Sequence, residues 1–187
     1  NKITTLNKNV NNNPKDIKSW LELVELQRAK LGSSCKEKVV SECQMAVLAK
    51  AIEKNPSSEE LLLRQLYITY NVSDSNSLRE ALDQIVFNFP HKITFWAMYF
   101  EYNQADFSRL GQHRICSLYS NALSKIDSLK STHVRPSQRL PEPLGSQHQL
   151  RLYSQLALFL LETDHMEKLI ALFQLIIEYN FLKTKGT

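Results

Sequence analysis

Apolar residues along the chain recur at three- and four-residue spacing, the period of a helix with one buried face, rather than at the two-residue alternation of a strand. Trp20, Leu21, Leu23, Val24 and Leu26 mark one such helix, and Val39, Val40, Cys43, Val47, Ala51 and Ile52 mark the next, with a Gly32-Ser33-Ser34 break between them. The first is preceded by Asn13-Pro14-Lys15-Asp16, which reads as an Asn cap, a proline at the first helical position and an acid in the first turn. This start signal recurs. Asn55-Pro56-Ser57-Ser58-Glu59-Glu60 opens a helix reaching about Tyr70, with Ser57 and Glu60 at capping-box spacing, and Phe89-Pro90-His91 opens another reaching about Tyr102. Pro14, Pro56 and Pro90 lie 42 and 34 residues apart, intervals in the range of helical repeats.

Aligned on those prolines, the sixth residue after each is Trp20, Leu62 and Trp96, a large apolar side chain every time. The second helix of each pair keeps a common register, with Val47-Leu48 and Ala51-Ile52 matching Ala81-Leu82 and Ile85-Val86, and Leu118-Tyr119 and Ala122-Leu123 continuing it. Residues 150–161 and 166–177 make a fourth pair, whose last helix repeats the arrangement in Leu172-Phe173 and Ile176-Ile177. The pattern therefore predicts an all-α chain of about eight helices in four antiparallel pairs. Such pairs bury their apolar faces by stacking, which points to an α-solenoid. Residues 1–12, polar and Asn-rich, read as a poorly ordered flank, and 13–187 as the repeat segment. One long interruption, 127–146, holds Pro136, Pro141, Pro143 and Gly145 and reads as a mobile loop. The helix at 166–181 has no polar helix after it, so it is expected to expose a stacking face to further repeats of a longer chain.

Composition adds mainly exclusions. With 43% apolar and 22% charged residues the chain is globular rather than disordered. Its four isolated glycines form no phosphate-cradling loop. Cys35, Cys43 and Cys116 fit neither a disulfide framework nor zinc spacing and suit a reducing compartment, and the five histidines stand singly, so no metal or cofactor is expected. No apolar run reaches the ~18 residues of a membrane span. Cys43, between Val39 and Val47, reads as a small core residue, and Trp20 and Trp96 read as packing residues rather than stacking platforms for a ligand. No nucleophile has a nameable base, so no enzymatic activity is expected. The net charge of +4 leaves nucleic acid open. Lys36, Lys38, Arg79 and Arg114 on the second helices, with Arg135 and Arg139 in the interruption, form the candidate partner or RNA surface, against the alternative of a solvated face.

The pattern Asn-Pro-x-Asp-x-x-x-Trp followed by a second helix with paired apolar positions resembles the half-a-TPR (HAT) repeat of RNA-processing scaffolds. Within that class the chain is similar to the nuclear-RNAi-defective-two family, and specifically to the N-terminal part of its helical array. The resemblance is carried by 13–21, by Glu-Lys-Asn-Pro-Ser-Ser-Glu-Glu-Leu-Leu-Leu at 53–63, by Phe95-Trp96-Ala97-Met98-Tyr99-Phe100 with Gln104-Ala105-Asp106-Phe107-Ser108, and by 167–181. The repeat pattern is imperfect: Ser58 and Lys92 stand for the acid, and Leu62 for the Trp. The resemblance implies a nuclear, non-enzymatic adaptor in small-RNA-directed silencing and in nuclear RNA surveillance and splicing. It implies association with the exosome-linked RNA helicase through a region outside this segment, and it transfers no binding residue. Two readings stay open at this point, a scaffold that binds partner proteins and a module that binds RNA directly through its basic residues.

Overall fold

A computed structural model of the chain describes residues 2–31, 36–105, 111–131 and 136–182, which form nine α-helices and no strand. They are α1 (Lys2–Asn12), α2 (Ile17–Leu31), α3 (Glu37–Lys54), α4 (Glu59–Val72), α5 (Ser75–Asn88), α6 (Ile93–Ala105), α7 (Gln112–Leu129), α8 (Leu144–Glu162) and α9 (Met166–Leu182). The eight helices expected from periodicity are α2 to α9. They divide into two units, Asn1–Asp83 and Gln84–Thr187, and within each unit helices pack mainly on their neighbours in sequence. The Gly32-Ser33-Ser34 break, Cys35, Asp106-Phe107-Ser108 and Arg135 fall outside the described residues.

The proline segments are turns rather than first helical turns. Asp16, Ser58 and Lys92 each donate the backbone N–H to the carbonyl three residues back, at Asn13, Asn55 and Phe89, over 3.2, 3.1 and 3.0 Å. Proline therefore occupies the second position of a β-turn, where its fixed φ is an advantage, and the helix starts three residues later than a cap at Asn13 would place it. Asp16 caps α2 instead, accepting from the Ser19 hydroxyl at 2.6 Å and the Ser19 N–H at 3.4 Å. That bonding, chiefly the hydroxyl, holds the Asp16 carboxyl below its ordinary range. At α4 the cap position is Ser58, which makes no capping bond, so the box expected from Ser57 and Glu60 does not form.

The same turns explain the tryptophans. The indole N–H of Trp20 donates to the Pro14 carbonyl at 3.0 Å and that of Trp96 to the Pro90 carbonyl at 2.9 Å, six residues apart in both cases. Each ring is buried, so one side chain fills the core and also satisfies a turn carbonyl that the helix cannot reach. Leu62 keeps the apolar half of that role. Asn55 Nδ2 also donates to the Pro14 carbonyl, at 2.7 Å, so this acceptor keeps a partner if the indole is lost. Trp20→Phe is therefore expected to cost about 1 kcal/mol and Trp96→Phe more, up to about 3 kcal/mol. Urea denaturation of the two variants checks the order.

In the first unit α1 packs on α2, α2 on α3 and α3 on α4. Leu6, Val10, Trp20, Leu23, Val24, Leu48, Ala51, Leu61 and Ile68 form one core. Two expectations are corrected here. Residues 2–12 form no loose flank: Leu6 and Val10, four apart on a polar background, are buried in this core and Ile3 packs against it, which seats α1. The buried face of α3 runs through Val40, Gln44, Leu48 and Ala51, while Val39 is exposed and Cys43 half-buried, a rotation of one residue from the expected stripe. Gln44 makes this face workable by donating from Nε2 to the Val24 carbonyl of α2 at 3.2 Å.

In the second unit α6 packs on α7, α7 on α8 and α8 on α9. Phe100 of α6 and Tyr119 of α7 lie face to face, with ring centroids 3.8 Å apart and planes 8° from parallel, and Trp96 stacks beyond Phe100 at 5.9 Å. Gln104 Nε2 donates to the Tyr119 hydroxyl at 3.1 Å. Burial outweighs that bond and pushes the phenol up to about 12. The expected mobile loop at 127–146 is shorter, because α7 continues to Leu129 and α8 begins at Leu144. Its described far part is anchored: Leu140 is buried, its N–H donates to the Leu129 carbonyl at 3.0 Å, and Gln138 Nε2 donates to the Asn88 carbonyl at 3.2 Å. Between α8 and α9 the chain reverses at Asp164, whose φ of 57° lies in the left-handed region. The N–H groups of Asp164 and His165 return to the Leu161 and Leu160 carbonyls, the Schellman closure of a helix end.

Candidate functional site

The described candidate basic residues belong to both units. Lys36 and Lys38 are exposed at the start of α3, in the first unit. Arg79 of α5, also in that unit, is half-buried with its Nε enclosed and without a hydrogen-bond acceptor. Arg114 of α7 and Arg139 are exposed in the second unit. Neither unit gathers all of them. Trp20 and Trp96 are core residues, and Pro14, Pro56 and Pro90 hold turns, so these repeat positions have a role in stabilising the fold. Among the described residues no group of three or more His, Cys, Asp or Glu is placed to hold a metal ion, and no helix is long and apolar enough to cross a membrane.

Two features of the second unit are better placed for binding. The first is the outer face of α9. Leu169 is buried, and Leu172 and Ile176 are half-buried on the same side. The neighbouring stripe of Ile170, Phe173, Ile177 and Phe181 is 51–72% exposed. These positions follow one another at three- and four-residue steps, so they form a continuous apolar strip along the helix. Leu158 and Leu161 of α8 are also more than half exposed. A contiguous exposed strip of this kind marks an interaction surface far better than scattered apolar residues do.

The second is a cleft of about 620 Å³ lined by α7, α8, α9 and the Glu142–Ser146 corner. Leu123, Leu150 and Ile176 form its apolar wall, and Asp127, Gln149, Tyr153 and Tyr179 contribute its polar groups. The Lys130 ammonium pairs with Glu142 at 3.0 Å and donates to Gln149 Oε1 at 2.5 Å, while the Ser146 hydroxyl donates to the other Glu142 oxygen at 2.6 Å. These bonds, the Ser146 hydroxyl first and Lys130 next, hold the Glu142 carboxyl below its ordinary range. Gly145 leaves room for the Lys130 side chain, since a Cβ there would come within 2.9 Å of Lys130 Cε and the lysine would have to shift. Asp127 receives only a long bond, 3.4 Å, from Gln149 Nε2. Burial, with smaller effects from Tyr179 and Asp127, raises the Tyr153 phenol.

On the same helix, burial and then the neighbouring Arg151 charge depress His148 from its ordinary value of 6.5. A depressed histidine contributes stability that is complete above the unfolded value and is lost as the pH falls through 6.5 towards the folded value. Thermal midpoints measured at pH 7.5 and 5.5 are expected to fall on acidification, and to fall less in His148→Gln.

The helical period of 166–181 makes the apolar strip legible in the sequence, whereas the cleft is not. Its lining residues are scattered from Leu123 to Asn180 and share no motif spacing.

Comparison with known proteins gives a consistent relationship. The family described as NRDE-2, necessary for RNA interference, matches residues 1–187. Human nuclear exosome regulator NRDE2 is 28% identical over 197 aligned positions, covering 97% of this chain, and the mouse protein of the same description matches to the same extent. The chain spans about 17% of the length of these relatives. No solved structure matches. None of these matches indicates an enzyme family. With its family's signature running from end to end, the all-α chain belongs to the NRDE-2 family.

Proposed function

We propose that this segment is a non-enzymatic, protein-binding scaffold module of a nuclear adaptor, acting in small-RNA-directed silencing and in exosome-linked RNA surveillance and splicing. The observation that carries the protein-binding part is the exposed strip Ile170, Phe173, Ile177 and Phe181 on α9. Family membership and the relatives' description as nuclear exosome regulators support the nuclear setting. The helix pairs are read as HAT/TPR-like repeats of an α-solenoid, supported by the recurrent proline turn with its Trp-to-carbonyl bond and by sequential helix packing inside each unit. The exosome-linked helicase belongs to the same assembly and is contacted from outside this segment.

The test is capture from nuclear extract on the folded chain, washed at high salt with nuclease and compared with a Phe173→Asp/Ile177→Asp double variant. A protein retained through both treatments by the wild type and lost in the variant is the expected result. Retention of nothing but RNA-tethered proteins, released by nuclease, would transfer the assignment to direct RNA binding. That second reading draws on exposed Lys36, Lys38, Arg114 and Arg139, and it requires affinity that drops steeply with salt as counterions are released.

A further inference from the structure

The cleft of the second unit carries more information about a partner than the apolar strip, because its charges do not cancel. Its charged lining residues are Asp127, Lys130 and Glu142. Lys130 and Glu142 are matched to each other, and Gln149 and Ser146 complete their bonding. Asp127 has no ion-pair partner among the described residues and only the 3.4 Å bond from Gln149. Among the described residues the cleft lining thus carries one surplus negative charge, in a chain whose net charge is +4. Tyr153 and Tyr179 place two aromatic rings in the same lining, and Leu123, Leu150 and Ile176 supply adjoining apolar surface.

We propose that this cleft receives a lysine or arginine side chain from an amphipathic segment of a partner protein, whose flanking apolar residues seat against Leu123, Leu150 and Ile176. The assignment rests on the protein-binding reading above and adds the partner's chemistry to it. Three physical terms converge on a cation. The surplus carboxylate attracts it, a phenol ring presents a negative face to it, and the apolar wall covers the aliphatic stem that carries it. A phosphate meets the opposite situation, since the one ammonium among the described lining residues is already engaged by Glu142 and the remaining charge repels it. A peptide also suits the place: the cleft opens along the seam of three helices, where an extended or helical segment reaches several side chains at once.

The experiment pans a random 12-residue peptide library displayed on phage against the intact chain. Selected peptides are then synthesised and titrated by fluorescence anisotropy, with backbone amide shifts recorded to locate them. Expected are sequences in which one Arg or Lys sits beside apolar residues, amide shifts centred on α7, α8 and α9, and affinity that falls about five- to tenfold both in Asp127→Asn and when the peptide cation becomes Gln. Asp127→Asn keeps the side-chain acceptor for Gln149 and changes an exposed position, so the fold is retained, and the variant's amide spectrum verifies it. Apolar peptides that map to the cleft without a cation, or basic peptides indifferent to Asp127→Asn, overturn the assignment while leaving the protein-binding reading standing. Peptides that map elsewhere, or a single-stranded 12-nucleotide RNA that binds in the cleft, also overturn it. No selected peptide, together with no salt-resistant protein in the nuclear-extract capture, overturns both readings.

Discussion

Phe100→Ala is expected to destabilise the second unit by about 3–5 kcal/mol, the largest effect of any single substitution argued from the structure. Phe100 is 1% exposed and lies in the middle of an aromatic column, between Trp96 at 5.9 Å and Tyr119 at 3.8 Å. Truncation removes the ring's transfer free energy and leaves a void between two rigid rings. Neither neighbour can collapse into it without breaking the bond it makes, Trp96 to the Pro90 carbonyl and Tyr119 to Gln104. Tyr99 and Phe100 are adjacent in sequence, yet only Phe100 is wedged between helices. Phe100→Leu keeps most of the volume and is expected to recover at least half of the loss. Urea denaturation followed by tryptophan fluorescence measures both. If Phe100→Ala cost under about 1 kcal/mol, the column would not be the core of this unit.

Val10→Asp is expected to destabilise the first unit by on the order of 3 kcal/mol, although it lies in a stretch whose composition is that of a linker. Val10 is 3% exposed and belongs, with Leu6, to the core that also holds Trp20, Val24 and Leu48. A carboxylate at that position must be left unpaired in an apolar site, or α1 must detach and expose the face of α2 beneath it. The adjacent Asn9 is exposed, so Asn9→Asp is the matched control and should stay within about 0.5 kcal/mol. Thermal unfolding reads the cost, and hydrogen exchange on the α1 amides distinguishes detachment from global loss. An unchanged thermal midpoint in Val10→Asp would return residues 2–12 to the status of a flank. The surface pair that also joins α1 to α2, Lys2 with Glu22, is too exposed to mask the effect.

Much of the architecture was legible in the sequence because it is local. Helix period needs only neighbouring residues, and the proline turn with a large apolar side chain six residues after the proline is a self-contained local unit, so eight helices and their order followed directly. The pairing positions Leu48, Ala51, Leu82, Ile85, Tyr119 and Ala122 are buried as their register requires. Details of the same local units were less legible. The cap moved from Asn13 to Asp16 because a β-turn and a first helical turn both accept proline at the second position, and the bond from Ser19 decides between them.

The sequence by itself therefore determined that this chain is a run of amphipathic helices, that its tryptophans serve the fold, and that its last helix carries more apolar surface than its own pair can bury. Tertiary structure alone decided the rest. It selected the Val40–Gln44–Leu48 face of α3, because a buried glutamine is tolerable only where the Val24 carbonyl of another helix accepts its amide. It seated α1 through Leu6 and Val10, with Ile3 packed beside them, because burial depends on a partner surface and not on the hydrophobicity of the segment. It assembled the cleft and its surplus charge from positions as far apart as Asp127 and Tyr179, whose proximity arises only when α7, α8 and α9 pack together. Side chains brought together by helix packing have no fixed spacing along the chain, so no motif announces them.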